Sequence, residues 1–378
     1  MWFRRFWGEW KQETAKPALG RVSRLMWRDP LDHPRTIRSL TGREIAETRD
    51  EPVLLPNQDP VVGARPQHWD KASVFQPEFV WRIERDGGVR SIRITPSGTV
   101  LVNNRYLLQT DQGSWAGLLE RPLKQRVTVD LAIAPWSHNW SAYGDYLLFV
   151  VSKLCRIKAA LDESSWANST LCYPLRRTSW EQQYLSHLGF GEDRLLDTRQ
   201  KIQVSARTVV TANNQGALWL PSPSAILALR RTFLTEPEPR AGRKRIYISR
   251  AHWRRKVRNE EDVRRVVTSF GIEVLEDVPP SVSEEIQLFR DASLVVAAHG
   301  SALSNLVWCA PGTRVIELLS GSYAHMQVAY LSHILGLDYR CLIDDSSRSH
   351  HWSNMQDADV SVDVDWLKKT LEAMVAPN

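Results

Sequence analysis

Short apolar segments with strand character alternate with amphipathic helical segments along most of this chain, and this alternation restricts the possible folds most strongly. The first series begins just after Arg126 with "VTVDLAIA" and ends with the helical segment "SPSAILALRRTFL". The second begins with "RIYISR", after a polar, proline-containing break at residues 235–243. Strands that alternate with helices form parallel sheets covered by helices. We therefore predict an α/β protein with two Rossmann-like domains, 126–236 and 237–345, that face a cleft.

Three further segments complete the predicted organisation of the 378 residues. Residues 1–45 form an amphipathic, basic N-terminal segment, and residues 46–125 form a linker followed by a β-hairpin region. The turn sequences "DGG" and "PSG" separate short runs rich in Val, Ile and Tyr. Residues 30–70 are rich in proline and charge, so we interpret them as a linker on the surface. Residues 346–378 contain a last helix that packs back on a domain.

The first eleven residues, "MWFRRFWGEWK", combine aromatic side chains at helical spacing with basic residues. Such a helix is typical of an anchor that lies in the headgroup region of an anionic membrane. An ordinary amphipathic helix docked on its own domain gives the same pattern. The segment lacks the long apolar core of a signal peptide, and no stretch is long enough to span a bilayer. We therefore expect a cytoplasmic protein, peripheral at the inner face of the cell membrane in the anchored case.

The net charge of +6 and the pI near 9.2 favour anionic partners, such as a nucleotide phosphate, an acidic membrane surface or nucleic acid. No RNP or helix-turn-helix signature is present, so we expect no nucleic-acid partner. The four cysteines have no metal-like spacing and fit a reducing compartment.

A His-Gly-Ser sequence follows one of the most apolar predicted strands. His299 and Gly300 come after the strand Ser293–Ala298, and Ser301 begins a short helix with Asn305 one turn later. Free N–H groups in the first turn of a helix form a site for phosphate, and a glycine lets the anion approach the backbone. A His-Gly pair is also common in tight turns without any ligand.

A basic loop follows the first strand of the second series. Arg250 ends that strand, and Arg254, Arg255 and Lys256 precede a helix with Asn259 as its predicted N-cap. Guanidinium groups pair with diphosphates in a bidentate way, although a solvated basic loop has the same composition. Glu317 closes a later apolar strand, "TRVIEL", where a carboxylate either binds a ribose diol or is simply exposed at the strand end.

The ordered set "IYISR", "RRKVRNEE", "GIEVLE" and "EEIQLFRDASLVVAAHGSALSNLVWCAPGTRVIEL" resembles the C-terminal half of glycosyltransferase family 61. That family includes plant β-1,2-xylosyltransferases, the O-GlcNAc transferase that acts on EGF domains, and bacterial enzymes of capsular and surface polysaccharide synthesis. The resemblance covers about residues 125 to 345. It implies a GT-B-like architecture of two Rossmann-like domains and inversion at the anomeric carbon without a metal or cofactor.

The resemblance also implies roles for individual residues. The nucleotide-diphosphate site would comprise Arg250, Arg255, His299, Gly300, Ser301 and Asn305, together with Lys256 of the basic loop, and Glu317 would contact the ribose or uracil side. The donor would be a nucleotide sugar, with a UDP-sugar favoured.

The general base would come from the N-terminal domain. Family members carry an Asn, a His and an Asp at the start of the first long helix, and the matching stretch here is "HNWSAYGDYLLF". Asp145 takes the Asp position, whereas His138 stands at the Asn position and Ser141 at the His position. A carboxylate near a helix start can serve as a base, or it can merely complement the helix dipole.

The Asp363-Val364-Asp365 sequence resembles the metal-binding DxD motif of a different glycosyltransferase class, GT-A. It lies in "SVDVDWLKKTL", which we interpret as a capped helix start with acids in the first turn. We therefore predict no metal site there.

These observations predict an inverting glycosyltransferase of surface polysaccharide synthesis that acts on a glycan or lipid-linked glycan. A catalytically degenerate protein of the same fold that only binds a nucleotide or polyanion is the alternative, because Ser141 replaces the expected His.

Overall fold

A computed structural model describes residues 42–56, 61–63, 65–75, 77–96, 98–103, 105–106, 125–135, 142–200, 202–214, 220–234, 242–346 and 358–375. Contacts between residues divide them into two compact units. The described residues of the first unit come from 42–49, 77–135 and 149–214, and the second unit takes the remaining residues.

In chain order the strands of the described residues are β1 Gly42–Thr48, β2 Val61–Val62, β3 Glu78–Glu84, β4 Ile92–Ile94, β5 Val100–Val102, β6 Arg105–Tyr106, β7 Gln125–Ile133, β8 Thr170–Tyr173, β9 Leu195–Asp197, β10 Ile202–Ala212, β11 Lys244–Ile248, β12 Glu273–Leu275, β13 Ala292–Ala298, β14 Arg314–Ser320 and β15 Asp338–Asp344. The α-helices are α1 Tyr143–Asp145, α2 Ser152–Ala160, α3 Glu163–Ala167, α4 Ser179–His187, α5 Pro223–Phe233, α6 Glu260–Ser269, α7 Val282–Arg290, α8 Gln327–Ile334 and α9 Val364–Val375. A π-helical turn, Tyr146–Val151, joins α1 to α2, and 3₁₀ helices lie at Gln67–Asp70, Glu192–Arg194, Thr198–Gln200 and Ser301–Trp308.

The first unit contains a mixed sheet in which β10 is central. β10 pairs in parallel with β7 on one side and antiparallel with both β3 and β4 on the other. β8 and β9 extend the parallel side, so the order is β6-β5-β4-β10-β7-β8-β9, with β1 paired to β3. The parallel arrangement predicted for residues 126–236 is confirmed for the four strands of that range, β7 to β10. The earlier strands β3 and β4 add to β10 in the opposite direction and make the whole sheet mixed.

The predicted β-hairpin region is confirmed around "PSG", where β4 and β5 pair antiparallel and Gly98 has a φ of 86°. The "DGG" turn instead connects two strands that both pair with β10. Residues 30–70, predicted to be a linker, contain β1 in the first sheet and β2 in the second. These short strands lack a strong periodic pattern, and only their partners identify them.

The second unit contains a parallel sheet of six described strands in the order β12-β11-β13-β14-β15-β2. Every residue of β13 except Ser293 is buried, as is typical of a strand covered on both faces. The strand order reverses between β11 and β13. In open α/β sheets, the carboxyl ends of the strands at such a reversal border the crevice that binds ligands.

The last helix, α9, packs into the core of the second unit through Leu367, Leu371 and Met374. Just before it, the backbone of Val362 bonds to both polar atoms of the Asn259 side chain, at 3.0 Å to Oδ1 and 2.8 Å from Nδ2. Asn259 stands at the predicted N-cap position of α6, but its side chain makes no bond to that helix. It holds the C-terminal segment instead.

No helix in the described ranges has the length and apolar character needed to cross a membrane. The predicted amphipathic helix at residues 1–11 lies outside the described residues, as do His138 and Ser141.

Candidate functional site

A polar pocket of about 440 Å³ lies at the carboxyl ends of β11 and β13, where the strand order reverses. All of its lining residues belong to the second unit. They are Ala142, Gly144, Asp145, Arg250, Trp253, Arg254, Arg255, His299, Gly300, Ser301, Ser304, Tyr323 and Gln327.

Arg250 follows the end of β11 and lies against the backbone of Gly300. Its Nε and Nη2 donate to the carbonyl oxygen of Arg254 at 3.1 and 2.8 Å, which fixes the guanidinium within its own loop. A Cβ on Gly300 would come within 1.8 Å of Arg250 Nη1, so a larger residue there would displace the guanidinium. Burial and the charge of Arg255 lower the pKa of Arg250 to about 10, so it is still cationic at neutral pH.

Arg255 lies on the same side of the pocket in an unusual backbone conformation. Its φ is +60°, in the left-handed region that a residue with a side chain rarely adopts. The guanidinium stands over the ring of Tyr323, 5.5 Å from its centroid. Such local strain persists where the surrounding structure holds a side chain in a required position.

His299 is held by the buried carboxylate of Glu317 beneath the pocket. Its Nδ1 lies 2.6 Å from Glu317 Oε1, and the other carboxylate oxygen of Glu317 accepts a bond from the Tyr339 hydroxyl at 2.6 Å. Glu317 is fully buried on β14, and His299 is only 8% exposed. The carboxylate therefore fixes the orientation of the imidazole, and the other ring nitrogen remains for a ligand.

Ser301 begins the 3₁₀ helix Ser301–Trp308 at the floor of the pocket. The N–H of Leu303 already bonds to the carbonyl of Gly300, whereas the N–H groups of Ser301 and Ala302 have no partner in the described part of the chain. Such N–H groups form a site for an anion.

The start of α1 packs closely against this 3₁₀ helix. A Cβ on Gly144 would lie 2.4 Å from Ser304 Oγ and 3.5 Å from Ser301 Cα. Asp145, the next residue, therefore faces the same pocket as Arg250 and His299. Burial raises the pKa of the Asp145 carboxyl to about 6.

A family model described as glycosyltransferase 61 matches residues 77–316, which is more than half of the chain. The chain belongs to glycosyltransferase family 61. The predicted resemblance is thereby confirmed, and the match includes Asp145 and the basic loop as well as the strand that precedes His299.

Two curated relatives are similar to short parts of this family 61 chain. A β-1,2-xylosyltransferase of Oryza sativa subsp. japonica is 34% identical over 62 residues, which are 16% of this chain and 12% of the relative. A β-1,2-xylosyltransferase of Arabidopsis thaliana is 26% identical over 69 residues, 18% of this chain and 13% of the relative. The matched segments thus span only about an eighth of the length of these relatives.

The family 61 pocket brings together most residues that the sequence singled out. The pocket is lined by Asp145, Arg250, Arg255, His299, Gly300 and Ser301. Lys256 does not line the pocket; its side chain is exposed, and its backbone N–H bonds to Asp359.

Two other predicted residues lie beneath the pocket surface. Asn305 is fully buried, and its Oδ1 accepts bonds from the Tyr143 hydroxyl and from Trp308 Nε1. Both oxygens of Glu317 are engaged by His299 and Tyr339, so the geometry gives it a positioning role rather than the predicted contact with a ribose.

Asp145 belongs by its contacts to the second unit, together with residues 142–148. The predicted bounds of the first α/β domain, 126–236, include Asp145, and the family resemblance implies that the base comes from that domain. The close approach of Gly144 to Ser304 explains the difference. Helix α5, also predicted in the first domain, likewise groups with the second unit.

The sequence did not point to several side chains of the pocket, the largest of which are Trp253, Tyr323 and Gln327. Trp253 is 54% exposed at its wall, and Tyr323 and Gln327 come from the segment that follows β14. An indole inside the basic "AHWRRK" loop was the available signal for Trp253. Tyr323 and Gln327 carry no local signal, because only the sheet order brings the end of β14 beside β13.

Asp363 is the cap of α9, as predicted from "SVDVDW". Its Oδ1 accepts bonds from the N–H groups of Asp365 and Trp366, each at 3.0 Å. Among the described residues, no group of three or more His, Cys, Asp or Glu side chains could hold a metal ion.

Proposed function

We propose that the pocket of the second unit binds a nucleoside-diphosphate sugar, specifically a UDP-sugar, and transfers the sugar to a hydroxyl of a glycan with inversion. One observation carries this proposal. A carboxyl with a raised pKa and two guanidinium groups line a single pocket at the strand reversal of a parallel sheet.

The cationic side of the pocket suits a diphosphate. Arg250 and Arg255 supply guanidinium groups, which pair with phosphate oxygens in a bidentate way. The N–H groups of Ser301 and Ala302 add donors at the same floor. Donors fixed in advance stabilise the charge that develops on the departing diphosphate without further reorganisation.

His299 contributes one oriented ring nitrogen to the same phosphates. Nδ1 is bonded to the carboxylate of Glu317, so Nε2 is the ring nitrogen that remains for a phosphate oxygen. The Tyr339 hydroxyl holds that carboxylate in place.

Asp145 is the proposed general base. The acceptor hydroxyl loses its proton to the Asp145 carboxylate while its oxygen bonds to the anomeric carbon. The bond from that carbon to the diphosphate oxygen breaks, and its electron pair leaves with the diphosphate. A base with a pKa of about 6 is largely ionised at neutral pH and is a stronger base than an ordinary aspartate.

The wider setting is also proposed. Two α/β units with parallel strands support a GT-B arrangement of two Rossmann-like domains. The reaction would need no metal or other cofactor, because cations of the protein neutralise the phosphates. The basic, aromatic residues 1–11 support peripheral contact with an anionic membrane at the cytoplasmic face, where surface polysaccharides are built on lipid-linked glycans.

A binding protein without catalysis is the second candidate, since Ser141 stands where the family carries a His. It predicts nucleotide binding with no turnover of any donor.

A donor screen separates the two candidates. Thermal shifts and donor hydrolysis are measured with UDP-, GDP- and CMP-sugars, with UDP-xylose included because the curated relatives are named as xylosyltransferases. We expect a shift with UDP, hydrolysis or transfer with at least one UDP-sugar, and undiminished activity in EDTA. Binding without turnover of any donor would favour the second candidate, and an absolute requirement for Mn²⁺ would contradict the metal-free mechanism.

A further inference from the structure

A buried hydrogen-bonded network lies beside the pocket and involves a carboxyl that the proposed mechanism does not use. The hydroxyl of Tyr143 lies 2.7 Å from Asn305 Oδ1 and 2.8 Å from Glu285 Oε2. Asn305 Oδ1 also accepts a bond from Trp308 Nε1 at 3.1 Å. The three helical segments α1, α7 and Ser301–Trp308 meet at this hydroxyl.

The number of available hydrogens determines the protonation of Glu285. An indole N–H only donates, so the Asn305 atom that faces Trp308 is the amide oxygen. The same oxygen faces Tyr143, which must therefore donate its single hydroxyl hydrogen to Asn305. The phenolic oxygen then has no hydrogen left for the Glu285 oxygen 2.8 Å away. Both contacts are satisfied together when Glu285 is neutral and donates to Tyr143.

The surroundings of Glu285 are consistent with a neutral carboxyl. Its side chain is buried, and the 3₁₀ helix packed against α7 has no ionisable residue. Asp277 faces it with a like charge, and no cation is among the groups that shift its pKa. Burial, together with the like charge of Asp277, raises the pKa of Glu285 to about 7. Glu284 and Arg290, on its own helix, are not among these groups.

The network connects directly to the proposed base. Tyr143 and Asp145 are two residues apart in the same helical turn, and Gly144 between them packs against Ser304. A bond that holds Tyr143 therefore holds the start of α1 against the 3₁₀ helix whose N–H groups face the donor phosphates.

We propose that Glu285 is a positioning residue for Asp145, and that it acts as a neutral hydrogen-bond donor to Tyr143. This inference rests on the proposed function. When Glu285 loses its proton it can only accept, and Tyr143 has one hydrogen for two oxygens. One of the two contacts then becomes repulsive, and the start of α1 loses an anchor.

The inference has a defined pH dependence. Activity rises as Asp145 ionises, with a pKa of about 6, and falls as Glu285 ionises, with a pKa of about 7. The wild-type protein should therefore show a narrow, bell-shaped profile, and the alkaline limb should belong to Glu285.

Three variants of the full chain test this. Glu285→Gln keeps a donor at every pH, Glu285→Met keeps the volume without a donor, and Tyr143→Phe removes only the hydroxyl. The kcat and the KM for the donor are measured from pH 5.5 to 9. Amide hydrogen exchange of residues 142–151, corrected for the intrinsic pH dependence, gives a second readout that needs no activity.

We expect Glu285→Gln to keep kcat within about threefold at pH 6.5 and to lose the alkaline limb. Glu285→Met and Tyr143→Phe should lower kcat roughly 10- to 100-fold with little change in KM, as misplacement of a catalytic group does. Exchange at residues 142–151 should increase in these two variants, and above pH 7 in the wild type, but not in Glu285→Gln.

The proposal is overturned if Glu285→Gln shows the same alkaline fall and the same pH-dependent exchange as the wild type. It is also overturned if Tyr143→Phe and Glu285→Met leave exchange at residues 142–151 unchanged. A wild-type protein that turns over no donor would instead contradict the proposed function, and the exchange experiment would then decide the role of Glu285 by itself.

Discussion

At the carboxyl end of β10 in the first unit, the Asn213 side chain accepts a bond from the N–H of Phe79 and donates to the carbonyl of Pro77. At the carboxyl end of β13 in the second unit, His299 is bonded to Glu317 through one ring nitrogen and faces a pocket. Both residues follow buried strands of α/β sheets. Within the described part of the chain, the side chain of Asn213 bonds only to backbone groups, whereas the imidazole of His299 keeps one ring nitrogen for a ligand.

The same contrast holds for the acids of the two units. Asp197, at the end of β9, accepts bonds from the N–H groups of Leu175 and Arg199 and pairs with the Arg199 guanidinium. The carboxyl of Asp145, in α1, accepts no hydrogen bond within the described part of the chain, and burial raises its pKa. A polar side chain therefore indicates a site only where its bonding capacity is left unused.

The largest effect is expected for Asp145→Asn, which keeps the shape of the side chain but removes the base. Turnover should fall roughly 10²- to 10⁴-fold, as is usual when a general base is lost, while UDP binding should persist. Steady-state kinetics and a UDP thermal shift measure the two quantities. Asp130→Asn, at an exposed position of β7, is the matched control and should leave both unchanged. A nearly active Asp145→Asn protein would place the base elsewhere.

The stability of the same variant tests the alternative that Asp145 only complements a helix dipole. The folded carboxyl has a pKa of about 6 and the unfolded one a pKa near 3.8. The unfolded chain thus ionises first, and the folded state loses stability as the pH rises from about 4 to about 6. At pH 8 Asp145→Asn should therefore stabilise the protein by roughly 1–3 kcal/mol. A lower melting temperature at pH 8 would favour the dipole role.

Arg250→Ala should give the next largest effect, because a buried phosphate would lose a bidentate partner. Loss of one member of a buried charged pair costs about 2–5 kcal/mol, so UDP should bind at least roughly 30-fold more weakly. Calorimetry or the UDP-induced shift in melting temperature measures this. Arg258→Ala removes an exposed arginine that does not line the pocket and serves as the control. Full retention of the UDP effect in Arg250→Ala would contradict the assignment of the phosphate site.

The smallest effect on activity is expected in the first unit. Asn213→Ala leaves the N–H of Phe79 without its acceptor and should cost about 1–3 kcal/mol of stability. Turnover per folded molecule and UDP binding should stay at wild-type values. Chemical denaturation and kinetics on the same preparation separate the two quantities. A selective loss of turnover would show that this strand end also contributes to the site, and the comparison would fail.

The amino-acid sequence by itself was sufficient for the α/β class, for most elements of both units and for the local clusters of the pocket. Two of these clusters are local in sequence: the loop from Arg250 to Arg255 and the turn formed by His299, Gly300 and Ser301. Their chemistry follows from residue type and from their position after an apolar strand. The cap of α9 at Asp363 is local in the same way, because a capping bond spans only three residues.

Relations between distant segments were decided by the tertiary structure. Nothing in "YGD" reveals that Gly144 packs on Ser304, about 160 residues later, and this contact places Asp145 in the second unit. The same is true of two buried contacts. Glu317 is buried under His299 and Tyr339, and Glu285 contacts Tyr143, only because of the order of the strands in the second sheet. The hydrophobic pattern of a strand's sequence shows which of its residues are buried. Which strand lies beside it, however, depends on packing across the whole sheet. The protonation of a buried carboxyl is set by that neighbourhood, so it becomes visible only when the chain is folded.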